Sequence, residues 1–158
     1  MRADRRTRPC PPAPSVSVLT LVRNRQRHLD ALVAGLARQT CNNFELVVAS
    51  MQPEPPRICP SVPFTISVVD VPGERLPLAA ARNAAARQAR ADRLIFLDVD
   101  CIPSPSLVES FMRQLEASAR CLLGDVRYLP GPLTDEQKTQ WPVDRFQARA
   151  ISHPAGPA

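Results

Sequence analysis

Glycine, aromatic residues and long apolar runs are scarce in this sequence. Its 158 residues include five glycines and neither a Gly-x-Gly-x-x-Gly nor a P-loop pattern, which excludes a glycine-rich loop as the main phosphate-binding device. Aromatic residues make up 4% of the chain, and none stands among the arginines at positions 2–8, so we expect no nucleic-acid partner. No apolar run reaches the roughly 18 residues that a membrane-spanning helix needs, so we expect no transmembrane segment.

The cysteines are odd in number and widely spaced. The five positions are Cys10, Cys41, Cys59, Cys101 and Cys121, and no two of them form a Cys-x-x-Cys pair. This spacing argues against a zinc site or a disulfide framework, and it favours reduced thiols in a cytoplasmic protein. Cys101 directly follows an acidic pair, and we interpret it as a small space-filling residue rather than a nucleophile.

Composition and proline distribution divide the chain into three parts. Hydrophobic residues at 44% and charged residues at 22% are typical of one globular domain. The 18 prolines concentrate at the two ends and in segment 52–63. We predict a disordered Pro- and Arg-rich tail at 1–14, an α/β domain at 15–130, and a weakly ordered segment at 131–158 with some helical pattern at 134–150.

Strand and helix signals alternate within the predicted domain. Apolar, β-branched runs predict five strands, at 15–22, 44–49, 64–71, 93–97 and 121–128. Apolar residues at helical spacing predict helices at 29–40 and 78–91, and a third helix that Ser104 caps and Pro105 begins. This order predicts a doubly wound, Rossmann-like α/β fold with a mainly parallel sheet flanked by helices.

Three short segments stand where predicted strands end. They are Arg23-Asn24, Ala49-Ser50 and Asp98-Val99-Asp100. Because ligands of such sheets bind outside the carboxyl ends of the strands, these segments should face one crevice. Residues i and i+2 of an extended chain point to the same side, so Asp98 and Asp100 could together hold Mg²⁺ or Mn²⁺ while phosphate oxygens complete the coordination. A solvated acidic turn is the alternative interpretation.

One arginine in a predicted helix could serve the same crevice. Arg82 lies in the alanine-rich helix at 78–91, and its guanidinium could reach a diphosphate as a fixed cationic donor. An ordinary surface arginine is the alternative interpretation.

Four segments together resemble the family 2 glycosyltransferases of the GT-A fold. They are VSVLTLVRNR at 16–25, FELVV at 44–48, ARNAA at 81–85 and LIFLDVD at 94–100, in the order and spacing of that family. Gln39-Thr40 also resembles the end of a family helix, and the resemblance extends over residues 15–128. It implies a GT-A sheet, incomplete at its C-terminal side, that forms the nucleotide-sugar-binding part of a transferase.

The resemblance also implies what the site residues do. The enzyme would transfer a sugar from a nucleotide-sugar donor to an unknown acceptor, with inversion and with a divalent metal. Arg23 and Asn24 would line the nucleotide pocket, and Arg82 would approach the diphosphate. Asp98 would lie near the ribose and the metal, and Asp100 would ligate the metal, as in a DXD motif.

The sequence departs from the family pattern in three respects. Ala49-Ser50-Met51 replaces an aspartate that often reads uracil, and Leu21-Val22-Arg23 replaces Pro-Thr-Tyr. No residue matches the catalytic base, and the acceptor-binding half has no counterpart. The alternative function is therefore a degenerate or truncated domain that binds nucleotide sugar or a partner without catalysis. A nucleotidyltransferase-like binder is disfavoured because the first strand is not followed by a glycine-rich loop.

Overall fold

The computed structural model describes residues 13–58, 61–73, 76–117, 121–129 and 134. In chain order its elements are β1 (Val16–Val22), α1 (Gln26–Leu36), β2 (Phe44–Ser50), β3 (Thr65–Asp70), α2 (Leu78–Gln88), β4 (Leu94–Phe96) and α3 (Leu107–Ala117). The predicted tail at 1–14 lies outside the described residues except for 13 and 14. The predicted segment at 131–158 lies outside them except for 134, so both boundaries stay predictions.

The four strands pair in parallel, in the spatial order β3-β2-β1-β4. β1 pairs with β2 over its whole length, from Val16 opposite Phe44 to Val22 opposite Ser50. The chain runs outward from β1 through β2 to β3, and α2 then returns it across the sheet to β4, on the other side of β1. The predicted doubly wound, parallel sheet is confirmed, and its topological switch point lies between β1 and β4.

Helices cover both faces of this sheet. On the first face, α1 and α3 pack against alternate residues of the central strands, such as Val18 and Leu46. On the second face, α2 packs through Ala81 and Ala85 against Leu19 and its neighbours. Because β1 and β2 are buried on both faces, most of their residues are apolar, and apolar and polar positions do not alternate regularly.

The predicted fifth strand at 121–128 is wrong for the described residues. Segment 121–129 contains no strand, only an isolated bridge residue at Tyr128. Leu123 is 95% exposed and Val126 is 57% exposed. An apolar run is stabilised as a strand when a neighbouring strand and a covering layer bury its side chains. The side chains of Leu123 and Val126 are not buried in this way, so the segment does not form a strand.

The helix limits differ from the predictions where α1 meets α3. α1 ends short of residue 40, and α3 begins after Pro105. Gln39 instead turns its side chain toward the start of α3, where its Oε1 accepts a hydrogen bond from the Val108 backbone N–H at 2.9 Å. Its Nε2 donates to the Ser104 carbonyl at 2.7 Å. An N–H at the start of α3 is thus satisfied by Gln39 rather than by the predicted Ser104 cap.

Gly35 allows the segment after β4 to lie close to α1. A Cβ at this position would stand 2.7 Å from the Cδ of Pro103. Pro103 is buried, and its ring has no free rotation with which to move aside. The contact therefore holds the chain downstream of Asp100 against the first helical layer.

A buried carboxylate joins three elements at the amino edge of the sheet. Glu45 accepts hydrogen bonds, each at 2.7 Å, from the Ser17 hydroxyl, the Arg90 backbone N–H and the Arg90 Nε. Burial would raise the pKa of Glu45, but these hydrogen bonds and the charge of Arg90 outweigh it and hold the pKa below its usual value. The network joins the chain after α2 to β1 and β2, on the edge opposite the carboxyl ends of the strands.

Helix length and cysteine pairing bear on two of the predictions made from the sequence. None of the described helices combines the length and apolar character needed to cross a membrane. Cys41, Cys101 and Cys121 are free thiols. The cytoplasmic location stays a prediction.

Candidate functional site

The loop after β4 presents two carboxylates at the carboxyl edge of the sheet. Asp98 and Asp100 are exposed, whereas Val99 between them is 8% exposed and packs in the core of the first face. The Cys101 backbone N–H donates to the Asp98 carbonyl at 3.0 Å, which closes a tight turn. Val99 therefore anchors the loop and leaves both carboxylates at the surface.

Both carboxylates lie near the half-buried thiol of Cys101. The pKa of this thiol is raised first by burial and then by the negative charges of Asp100 and Asp98. The thiol is therefore protonated at neutral pH, which agrees with its interpretation as a space-filling residue.

The turn after β1 has a fixed backbone. Asn24 has a positive φ of 54°, in the left-handed region that asparagine tolerates better than most residues. Its backbone N–H donates to Oε1 of Gln52 at 2.6 Å. The next residue, Arg25, precedes α1, and its carbonyl accepts hydrogen bonds from the N–H groups of His28 and Leu29. These contacts hold the turn in one shape.

The segment after β2 braces the same turn from a second point. Gln26, the first residue of α1, donates from Nε2 to the Arg57 carbonyl and accepts from the Arg57 N–H at Oε1, both at 2.9 Å. The Nε2 of Gln52 in turn donates to the Glu54 carbonyl at 2.7 Å. The described part of the proline-rich loop predicted at 52–63 therefore supports the turn through the Gln52 side chain and through the Arg57 backbone, which Gln26 of α1 contacts.

An ion pair joins the two sides of the crevice at the switch point. The Nη1 of Arg25 lies 3.4 Å from the Oδ2 of Asp100, and both side chains are 53% exposed. Arg25 follows β1 and Asp100 follows β4, so the pair spans the ends of two neighbouring strands. The family resemblance implies roles for Arg23 and Asn24 but none for Arg25. The signal that could have identified it was its place one residue after Asn24, in the turn that follows a strand beside β4.

The predicted site residues fall into two groups. Arg23, which is partly buried, and Asn24, which is exposed, lie on one side of the crevice, with Asp98 and Asp100 on the other. Arg82 is exposed in the first half of α2, and within the described part of the chain it makes no ion pair or hydrogen bond with either aspartate. Because α2 follows β3, its first turns lie toward the same carboxyl edge of the sheet.

The carboxyl end of β2 is closed to solvent. Ala49, Ser50 and Met51 are 0%, 1% and 5% exposed. The Ser50 hydroxyl has no hydrogen-bond partner in the structure, within the described ranges. The end of β2 therefore presents no acidic group to a ligand, and the prediction that Ala49 and Ser50 face the crevice is wrong, because both side chains are buried within the sheet.

The donor atoms of the acidic loop suit a hard divalent cation. The described residues contain no group of three or more His, Cys, Asp and Glu side chains that could hold a metal ion. Asp98 and Asp100 supply carboxylate oxygens, which are the donors that Mg²⁺ and Mn²⁺ prefer. Two protein carboxylates leave coordination positions for water and for the oxygens of a ligand. The loop thus fits a cation that is shared with a phosphate-bearing molecule.

A family comparison identifies the chain. The family model described as glycosyl transferase family 2 matches residues 17–154, which include both sides of the crevice. The chain belongs to glycosyl transferase family 2. The resemblance inferred from the four sequence segments is therefore confirmed. No curated protein matches this family 2 chain.

Solved structures of TarS from S. aureus share the fold of this family 2 chain. One TarS structure matches with a TM-score of 0.52 and 19% identity, over 65% of this chain and 20% of that one. TarS 1–349 in complex with UDP matches with a TM-score of 0.52 and 19% identity, over 65% and 32% of the two chains. The complex of TarS 1–349 with UDP-GlcNAc gives 0.50 and 19%, over 65% and 31%.

These matches confirm the GT-A-like α/β fold class. At 19% identity they establish the fold alone. The family 2 chain spans between 20% and 32% of the length of these TarS structures.

Proposed function

We propose that this chain forms the donor-binding part of a glycosyltransferase that transfers a sugar from a nucleotide-sugar donor to an acceptor. The observation that carries the proposal is the contact between Arg25 and Asp100, which brings the turn after β1 and the acidic loop after β4 together at the carboxyl edge of the sheet. Family membership supports the reaction class. The TarS complexes with UDP and with UDP-GlcNAc support a nucleotide sugar as the ligand.

The nucleotide would occupy the β1 side of the crevice. Arg23 and Asn24 follow the carboxyl end of β1, where ligands of doubly wound sheets bind. The hydrogen bond from the Asn24 N–H to Gln52 keeps this wall in place before any ligand arrives. Arg23 would supply a cationic contact and Asn24 a hydrogen-bonding amide.

The diphosphate would lie on the β4 side. Asp98 and Asp100 would hold Mg²⁺ or Mn²⁺, with Asp98 also close to the ribose. When bound, such a cation neutralises the charge of a departing nucleoside diphosphate. Arg82 would approach the diphosphate from α2, because the first turns of this helix lie toward the same edge of the sheet.

The proposed reaction is an inverting displacement on the donor sugar. The acceptor hydroxyl attacks the anomeric carbon on the side opposite the departing diphosphate, and a base removes the hydroxyl proton. We assign no residue of this chain as that base. Because general base catalysis typically contributes about 10²–10⁴-fold, a chain without the base would bind the donor and turn it over slowly.

Calorimetry on the purified chain tests the donor site. We expect one of the UDP-, GDP- or dTDP-sugars to bind in the presence of Mn²⁺, and Asp100→Asn to abolish the metal-dependent part of binding. Asp92→Asn is the matched control, because Asp92 is exposed but precedes β4 at the opposite edge of the sheet. Its affinity should equal that of the wild type.

The outcomes separate the proposal from its alternative. Failure of every nucleotide sugar to bind, with or without Mn²⁺, would refute the donor site. Binding without turnover of the donor would favour a module that binds nucleotide sugar without catalysis. Turnover by the purified chain would exclude that alternative.

A further inference from the structure

Arg25 occupies a position that the proposed donor site does not yet use. Its backbone is fixed by its own carbonyl, which accepts the His28 and Leu29 N–H groups, and by the bracing of the residues on either side. Its side chain is 53% exposed, so the guanidinium can change partner while the backbone stays in place. Among the described residues it forms an ion pair with Asp100, at 3.4 Å.

We propose that Arg25 is a donor-binding residue that alternates between two partners, Asp100 and the donor diphosphate. In the ligand-free protein it neutralises Asp100. When a cation takes Asp100, Arg25 releases the carboxylate and contacts the diphosphate of the donor. This inference rests on the proposed function and extends it to a residue with no assigned role.

The charge balance of the site supports this exchange. Asp98 and Asp100 together carry two negative charges, which a divalent cation neutralises. The diphosphate of a nucleotide sugar then adds two further negative charges in the same place. A guanidinium released from Asp100 compensates part of this charge, and it can donate two parallel hydrogen bonds to phosphate oxygens.

The exchange is energetically accessible because the ion pair is exposed. Pairs of this kind contribute little in water, so Arg25 should weaken binding of a competing cation by at most about fivefold. A charge-assisted contact with the diphosphate is stronger than an exposed ion pair, and its loss should weaken nucleotide binding by about tenfold or more.

Two binding measurements with opposite expected signs test the inference. In Arg25→Gln, Mn²⁺ alone should bind about two- to fivefold more tightly than in the wild type, measured by electron paramagnetic resonance of free Mn²⁺. In saturating Mn²⁺, UDP should bind the same variant about tenfold more weakly, measured by calorimetry. A general loss of structure would weaken both ligands, so it cannot produce this pattern.

Two further variants complete the experiment. Arg25→Lys keeps the charge without the planar fork, and it should leave Mn²⁺ affinity near the wild-type value while recovering only part of the UDP affinity. Arg93→Gln removes an exposed arginine at the opposite edge of the sheet, and it should change neither ligand.

The failures are distinguishable. If the wild type binds UDP with Mn²⁺ and Arg25→Gln matches it for both ligands, or weakens both, the role of Arg25 is refuted and the donor site stands. If the wild type binds neither Mn²⁺ nor UDP, both proposals are overturned.

Discussion

Replacing Glu45 tests how the amino edge of the sheet is held together. The Glu45 side chain is 3% exposed, and that of its partner Arg90 is 36% exposed. Glu45→Ala removes the carboxylate that accepts three hydrogen bonds of 2.7 Å. The Ser17 hydroxyl, the Arg90 backbone N–H and the Arg90 Nε each lose this acceptor. Removing one partner of a buried ion pair costs about 3–5 kcal/mol, and the partial exposure of Arg90 places the expectation at about 3 kcal/mol.

That loss is a large fraction of the free energy of unfolding. A domain has about 5–15 kcal/mol in total, so Glu45→Ala should still fold but should unfold at a clearly lower urea concentration. Urea unfolding followed by far-ultraviolet circular dichroism at pH 7 measures the difference. Asp92→Asn is the control, because a substitution of an exposed residue changes stability by no more than about 0.5 kcal/mol.

The pH dependence of stability gives an independent signature. Because the pKa of Glu45 is lowered in the folded protein, its carboxylate stabilises the fold fully above the pKa of an unfolded glutamate, about 4.3. This stabilisation is lost as the pH falls through the lower, folded-state pKa. Glu45→Gln has no such group, so its free energy of unfolding should fall less than that of the wild type between pH 7 and pH 3.

Two results would refute this reasoning. One is a Glu45→Ala variant within about 0.5 kcal/mol of the wild type at pH 7. The other is a Glu45→Gln variant whose stability follows the wild-type pH profile. Either would mean that burial of the carboxylate costs as much as its hydrogen bonds return.

Two further predictions concern the chain that positions the site. Gly35→Ala should gain about 1 kcal/mol of helix propensity but lose about 1–3 kcal/mol by overpacking against Pro103, so thermal unfolding should show no stabilisation. Because Pro103 holds the chain just after the acidic loop, Mn²⁺ binding at this loop should also weaken. A stabilised variant with unchanged Mn²⁺ binding would show that Pro103 moves aside freely. Asn24→Val should cost about 1–3 kcal/mol, because a β-branched residue resists the positive φ. Asn24→Gly should keep wild-type stability, so a loss of UDP affinity in this variant would come from the missing side-chain amide and not from a changed turn. Equal stability of Asn24→Val and Asn24→Gly would contradict the role of the positive φ.

Much of the fold could be predicted from the sequence because burial on both faces leaves a local pattern. The segments that form β1 and β2 are mostly apolar without regular alternation, and the alanines of α2 occur at the spacing that a close helix contact requires. The prediction of a fifth strand at 121–128 was wrong because its residues are not buried. Its residues are apolar enough for a strand, but whether they are buried depends on neighbours that the local pattern does not contain.

The start of α3 also depends partly on local sequence and partly on a distant residue. Local signals at Ser104 and Pro105 indicate where α3 should begin, and α3 does begin just beyond them. The group that satisfies the Val108 N–H comes from Gln39, which is far away in the sequence. A cap of this kind follows from the packing of α1 against α3 and has no signature within either helix.

The acidic loop was predictable as a candidate, because two aspartates stand directly after an apolar strand. The sequence by itself determined which residues carry charge at the strand ends and which strands are buried, since both depend on residue type and local spacing. Only the tertiary structure decided that β4 lies beside β1 and that Arg25 therefore meets Asp100. The order of strands in a sheet is set by crossover connections and by packing between distant segments, so the partner of a charged residue is determined only when the chain folds.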